Sequence, residues 1–142
     1  MEPHVQAFWR LVEENGFESL PPGRRVANTE YGYAGLLDLD CLRLDSELIG
    51  MTSGCIIDAK TYGNDLAKMG GYWDWARQLA AYAHGLGSPA NVRLGNMVFS
   101  TAHPGEAKMI WWDGKESEAW DQFLACLTLW QAEEDYHWEA KP

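Results

Sequence analysis

Five residues of this chain have the types and spacing to act on a charged substrate: Asp38, Asp58, Lys60, Gln78 and Tyr82. Asp38 and Asp58 follow the apolar runs Leu36-Leu37 and Cys55-Ile56-Ile57, which read as strands. Two carboxylates brought together from separate strands make a site for a hard divalent cation, because Mg2+ takes oxygen ligands and keeps some of its waters. Lys60 follows Asp58 by two residues, so on a strand both side chains leave the same face. A cation and an ammonium side by side suit hydrolysis of a phosphodiester, in which negative charge builds up in the transition state. Gln78 and Tyr82 are four residues apart, neighbours on one face of a helix.

An acid, any residue and then lysine is not a rare pattern. It occurs four times, at Asp58-Ala59-Lys60, Glu106-Ala107-Lys108, Asp113-Gly114-Lys115 and Glu139-Ala140-Lys141. Only the first ends a buried-looking strand, and only the first is preceded by another strand that ends in carboxylates, Asp38 and Asp40. Context therefore selects Asp58 and Lys60.

The elements that must position them follow from periodicity. Val5, Phe8, Trp9, Leu11 and Val12 recur at helical spacing over residues 4–15, and Asn15-Gly16 ends that helix. Pro21-Pro22-Gly23 marks a loop. Residues 24–28 could form a first strand. Residues 33–43 read as a second, with Leu37, Leu39 and Cys41 alternating against Asp38, Asp40 and Leu42. Asp45-Ser46 suits a turn, and residues 53–60 form a third strand. A loop or short helix lies between Gly63-Asn64 and Gly70-Gly71. Residues 72–86 are the most convincing helix, with Trp75, Leu79, Tyr82 and Leu86 near one face and Gly85, Gly87 and Pro89 to stop it. Two strands at 92–100 and 107–112 and a long helix at 117–136 complete the order helix, three strands, helix, two strands, helix. That order predicts one mixed α/β domain over residues 1–142, a central sheet with helices against it.

Composition narrows the function classes. A chain of 142 residues, 46% hydrophobic, has material for a single core. No apolar run reaches the roughly 18 residues that a membrane span needs. Met1-Glu2-Pro3-His4 does not open a secretory signal, so a cytoplasmic location is expected by default. Cys41, Cys55 and Cys126 make no metal-binding spacing and read as reduced thiols in the core. A net charge of −10 argues against long-footprint nucleic-acid binding. The charge is uneven, however: positions 116–140 hold seven acids and no lysine or arginine, whereas Arg24, Arg25, Lys60, Lys68 and Arg77 lie nearer the proposed site. His4, His84, His103 and His137 show no ligand spacing and read as surface residues.

Three stretches in order, Gly32-Tyr33-Ala34-Gly35-Leu36-Leu37-Asp38, Ile56-Ile57-Asp58-Ala59-Lys60-Thr61 and Gln78-Leu79-Ala80-Ala81-Tyr82-Ala83, resemble the PD-(D/E)XK nuclease superfamily, nearest its RecB-like and phage exonuclease branch. The likeness is clear over residues 30–86 and looser elsewhere. It implies a restriction-endonuclease-like αβββαβ core and an Mg2+- or Mn2+-dependent deoxyribonuclease that favours DNA ends or single strands. Carried over position by position, Asp38 and Asp58 match metal-binding aspartates, with the Ala59 carbonyl as a backbone ligand. Lys60 matches the lysine that orients or activates the attacking water. Gln78 and Tyr82 match the helix pair beside the site, and Arg77 could touch phosphate. This chain departs from the pattern in lacking an acid near Gly23 or Arg24 and the cysteine cluster of iron–sulfur relatives. No motif marks Glu2, His4, Glu13 or Glu14 as the upstream ligand.

Each residue also has a plainer reading. Asp38 could be a solvated carboxylate, Asp58 and Lys60 a structural ion pair, and Gln78 and Tyr82 the rim and packing of an ordinary helix. Asp40 could add a ligand or pair with Arg43. Trp111-Trp112, Trp120 and Trp130 suit a core or a contact between copies of the chain, while Trp73 or Trp75 could stack on an unpaired base. A catalytically inactive binding or assembly module of the same fold is the alternative to a nuclease.

Overall fold

A computed structural model describes residues 2–17, 23–44, 52–87 and 92–139, with the side chains of 40–44, 52 and 53 outside the description. In chain order the elements are α1 (Pro3–Glu14), β1 (Arg24–Asn28), β2 (Tyr33–Leu37), β3 (Leu39–Leu44), β4 (Thr52–Tyr62), a 3-10 turn (Leu66–Lys68), α2 (Trp73–Gly85), β5 (Val92–Ser100), β6 (Ala107–Trp111) and α3 (Glu116–Glu133). This is a mixed α/β architecture. Among the described residues no helix is long and apolar enough to cross a membrane. The turn expected at Asp45-Ser46, the stop at Pro89, the Pro21-Pro22 part of the loop and the side chains of Asp40 and Cys41 lie outside the described residues.

The second strand expected over residues 33–43 is two strands. The chain bends at Asp38, so that β2 pairs with β1 in a two-stranded antiparallel sheet and β3 joins a four-stranded sheet in the order β3-β4-β5-β6. Alternation of apolar and polar residues carries across the bend because it records burial, not which strand is the partner. In the larger sheet β3 runs antiparallel to β4, β4 parallel to β5, and β5 antiparallel to β6. The parallel β4–β5 pair requires a crossover, and α2 supplies it.

Side-chain alternation splits the core in two. Cys55, Ile57 and Met97 meet Leu11, Val12 and Phe17 of the α1 segment on one face of the sheet. Ile56, Leu94 and Val98 meet Ala76, Leu79, Ala80 and Ala83 of α2 on the other. In α2 these four recur at i, i+3, i+4 and i+7, the spacing of one helical face. The small side chains of Ala76, Ala80 and Ala83 let the helix lie close to its neighbours. At Gly85 a Cβ atom would sit 2.2 Å from Val26 Cγ1 of β1, so that contact depends on glycine. Asp74 in the first turn suits the helix dipole.

Some expectations need correction. The final helix stops at Glu133, three residues before the expected end, and Asp135 then takes a left-handed φ of 52°. Cys55 is buried as expected, but Cys126 is exposed on α3. Trp112 fills the core at 8% exposure, whereas Trp130 stands out at 48%. His84 is half-buried, its ring stacked on Trp120 at 3.6 Å, and this burial pushes its pKa down. Helical spacing marks a face, but it does not reveal whether another element covers that face.

Candidate active site

The site lies where β3 stops accompanying β4. The last paired residue is Ile57, opposite Leu39; from Asp58 to Tyr62, β4 is paired with β5 alone among the described strands. The Ala59 N–H just past that point has no β3 carbonyl, and it donates instead to Asp38 Oδ2 at 2.9 Å. Asp38 sits at the bend, so the same kink that separates the sheets carries its carboxylate to β4.

Asp58 and Lys60 share the face of β4 that carries Ile56, the face covered by α2. Asp58 is only 4% exposed. Lys60 Nζ lies 2.6 Å from Asp58 Oδ2, yet that shielded oxygen accepts no well-directed hydrogen bond. The contact is an ion pair, and the ammonium donates a well-aligned bond to Gln78 Oε1 at 2.7 Å. Gln78 Nε2 in turn donates to the Tyr82 hydroxyl at 2.9 Å. The Tyr82 ring rests on β2, where a Cβ on Gly35 would lie 2.6 Å from Tyr82 Cε1. Asp38, Asp58, Ala59, Lys60, Gln78 and Tyr82 thus form one run of contacts linking the bend, β4 and α2.

The electrostatics of this run are unbalanced. Burial raises the Asp58 pKa, Lys60 pulls it back, and the charge and hydrogen bonding of Asp38 push it up again. Two neighbouring carboxylates thus share the site with one ammonium, which pairs with Asp58. Burial likewise raises the Tyr82 pKa, which keeps a neutral phenol at the end of the run. The Asp58 carboxylate, the Asp38 carboxylate and the Ala59 carbonyl are all oxygen donors. Mg2+ is commonly held by one or two carboxylates, with waters and substrate phosphates completing its shell, so this donor set fits such an ion. Among the described residues no group of three or more His, Cys, Asp or Glu is placed to hold a metal.

Compared with known proteins, the chain matches no family model and no curated protein. It has some likeness to the crystal structure of SSO0001, at 13% identity and a TM-score of 0.41, over 90% of this chain and 57% of that one. A likeness of that degree carries no inference about chemistry.

Arg77 has partners within the protein. It pairs with Asp74 one turn back and donates to Gln122 Oε1 of α3 at 3.3 Å. It borders a groove of about 450 Å3 between β2, α2 and α3, lined by Tyr33, Gly35, Gln78, Tyr82 and Phe123 among others. Tyr33 helps shape this groove: its hydroxyl donates to the Ala81 carbonyl at 2.8 Å, and burial pushes its pKa to about 12.

Sequence reasoning overlooked Asn96. It is fully buried on β5, in register with Asp58. Its Nδ2 donates to the Asp58 carbonyl at 3.2 Å, and its Oδ1 accepts from Trp112 Nε1 at 2.8 Å. These bonds satisfy buried polar groups and hold the Asp58 backbone in place. The available signal was a lone amide within Leu94-Gly95-Asn96-Met97-Val98.

Proposed function

We propose that this chain is a metal-dependent nuclease that hydrolyses DNA phosphodiester bonds on a restriction-endonuclease-like core, acting preferentially at ends or on single strands. The observation that carries this reading is the closeness of the Asp38 and Asp58 carboxylates, with Lys60 paired to Asp58 and held in turn by Gln78. The resemblance to PD-(D/E)XK nucleases assigns DNA as the polymer. Asp38, Asp58 and the Ala59 carbonyl would hold Mg2+ or Mn2+. When bound, the ion supplies Lewis-acid polarisation of the phosphate and lowers the pKa of a water.

The remaining roles belong to the chain itself. Lys60 donates to a phosphate oxygen or to the attacking water, offsetting charge as the new O–P bond forms and the ester P–O bond breaks. Gln78 restrains the lysine, so that less orientation is lost on reaching the transition state. Tyr82, neutral and packed on Gly35, fixes Gln78. Asn96 and Trp112 anchor the Asp58 backbone from below. The enclosed position of Asp58 strengthens each of these charge interactions.

A second reading, a nuclease-fold module without catalysis, draws support from the closed Asp58–Lys60 pair and from the acidic chain. Incubating labelled single- and double-stranded DNA with Mn2+ separates the two. The nuclease reading expects cleavage by the wild type that falls about 100-fold or more in Asp58→Ala and Lys60→Ala. Intact DNA with the wild type, or equal cleavage by all three proteins, overturns it.

A further inference from the structure

Beside Lys60 stands a group of aromatic rings that the fold does not need in full. Tyr62 follows Lys60 by two residues on β4 and so shares its face. Its ring lies 6.4 Å from that of Tyr72, the residue that precedes α2, and the Tyr62 hydroxyl pushes the Tyr72 pKa up. Tyr72 meets Trp75 edge to face at 5.1 Å. Trp75 is three residues before Gln78, one turn along the helix from the side chain that holds Lys60. Tyr62 and Trp75 rest partly on the core. Tyr72 does not, since 51% of its surface is exposed. Trp73 is a useful contrast, because it packs against Trp112 and is fully explained by the core.

We infer that Tyr62, Tyr72 and Trp75 form a ledge on which an unpaired base stacks, next to the phosphate that Lys60 contacts. The inference rests on the nuclease reading for the identity of the polymer and adds the recognition of its bases. Two residues along a strand advance about 7 Å, so the ledge begins within reach of the nucleotide adjoining the phosphate at Lys60. Stacking on aromatic rings tolerates any base, since every base has a π-face. Three rings cover less than the roughly 800 Å2 per partner of a specific protein interface, even at about 150–250 Å2 each, so a base is a better occupant than a protein. The ledge also gives an acidic chain a means of holding a nucleic acid strand that depends little on cations.

The test compares two fluorescein-labelled oligonucleotides of equal length and charge, one of thymidines and one of abasic sites. Binding is read by anisotropy in an Asp58→Asn background, which removes a proposed metal ligand while keeping Lys60. The ledge predicts that the thymidine strand binds about tenfold or more tighter. Tyr72→Ala removes that preference and Tyr72→Phe keeps it; because Tyr72 is exposed, both variants fold. Equal affinity for the two strands, no binding of either, or a preference that survives Tyr72→Ala overturns the inference. Cleavage of both strands by the wild type is followed in parallel. Equal degradation of both defeats the ledge and leaves the nuclease standing. Base-dependent binding without cleavage does the reverse.

Discussion

The two ends of β4 differ although they belong to one strand. Residues 54–57 lie between β3 and β5, and Cys55, Ile56 and Ile57 are at most 2% exposed under the helices on either face. Residues 58–62 have lost β3, and there the strand carries Asp58, Lys60 and Tyr62 on its α2 face. The first end is built for packing. The second keeps a buried charge paired with Lys60 and a backbone donor that a side chain must satisfy. Where a strand loses a neighbour, its unpaired backbone becomes available for a site. The fully paired end supplies the rigidity to hold that site in place.

The largest effect should come from the packed end. Ile57→Ala empties a fully buried position and is expected to cost about 2–5 kcal/mol, read from urea unfolding midpoints. At the open end Lys60→Met leaves the buried Asp58 without its cation, which has its own cost in stability, and should in addition lower DNA cleavage by about 100–1,000-fold in the folded protein. If both substitutions act chiefly on stability, the division of labour along β4 is wrong.

Asn96→Leu probes the join between the ends. It strands the Trp112 indole N–H and the Asp58 carbonyl, at about 1–3 kcal/mol for each buried group left unpaired. It should also reduce cleavage, since Asp58 loses its anchor. A loss of stability with full activity would confine Asn96 to the core.

The smallest effect has the opposite sign. Burial raises the Asp58 pKa, so the folded chain binds that proton more tightly than the unfolded chain does. The resulting stability is complete below the unfolded pKa near 3.8 and is lost as pH rises through the raised folded value. With EDTA present, Asp58→Asn should therefore raise the Tm at pH 7, and the gain should vanish below about pH 4. A lower Tm at pH 7 would mean that the ion pair with Lys60 outweighs burial.

Much of this arrangement could be read in the sequence, for identifiable reasons. The apolar patterns of α2 and β5 run between clear stops, and the limits of both, like those of β1, agree with the sequence reading to within a residue. Asp38, Asp58 and Lys60 stand out in the sequence by their place at the ends of apolar runs, and Gln78 and Tyr82 chiefly by the resemblance to PD-(D/E)XK nucleases; the structure brings the five into one run of contacts. The bend at Asp38 was missed because alternation runs through it. Arg77 pairs with Asp74 one turn back, a spacing the sequence shows, whereas its bond to Gln122 depends on how α2 packs against α3, which no local pattern encodes. Whether Trp130 lies in the core or at a contact between copies stays open in the sequence, because apolar residues at helical spacing look alike whether covered or bare; on α3 it is exposed, as is Leu129.

The central claim is that Asp38 and Asp58 jointly hold a divalent cation beside Lys60. Calorimetric titration of Mn2+ into the wild type, Asp38→Asn and Asp58→Asn at pH 7 tests it most directly. The account predicts saturable binding by the wild type that either substitution abolishes. No binding by the wild type, or binding unchanged in Asp58→Asn, would contradict it.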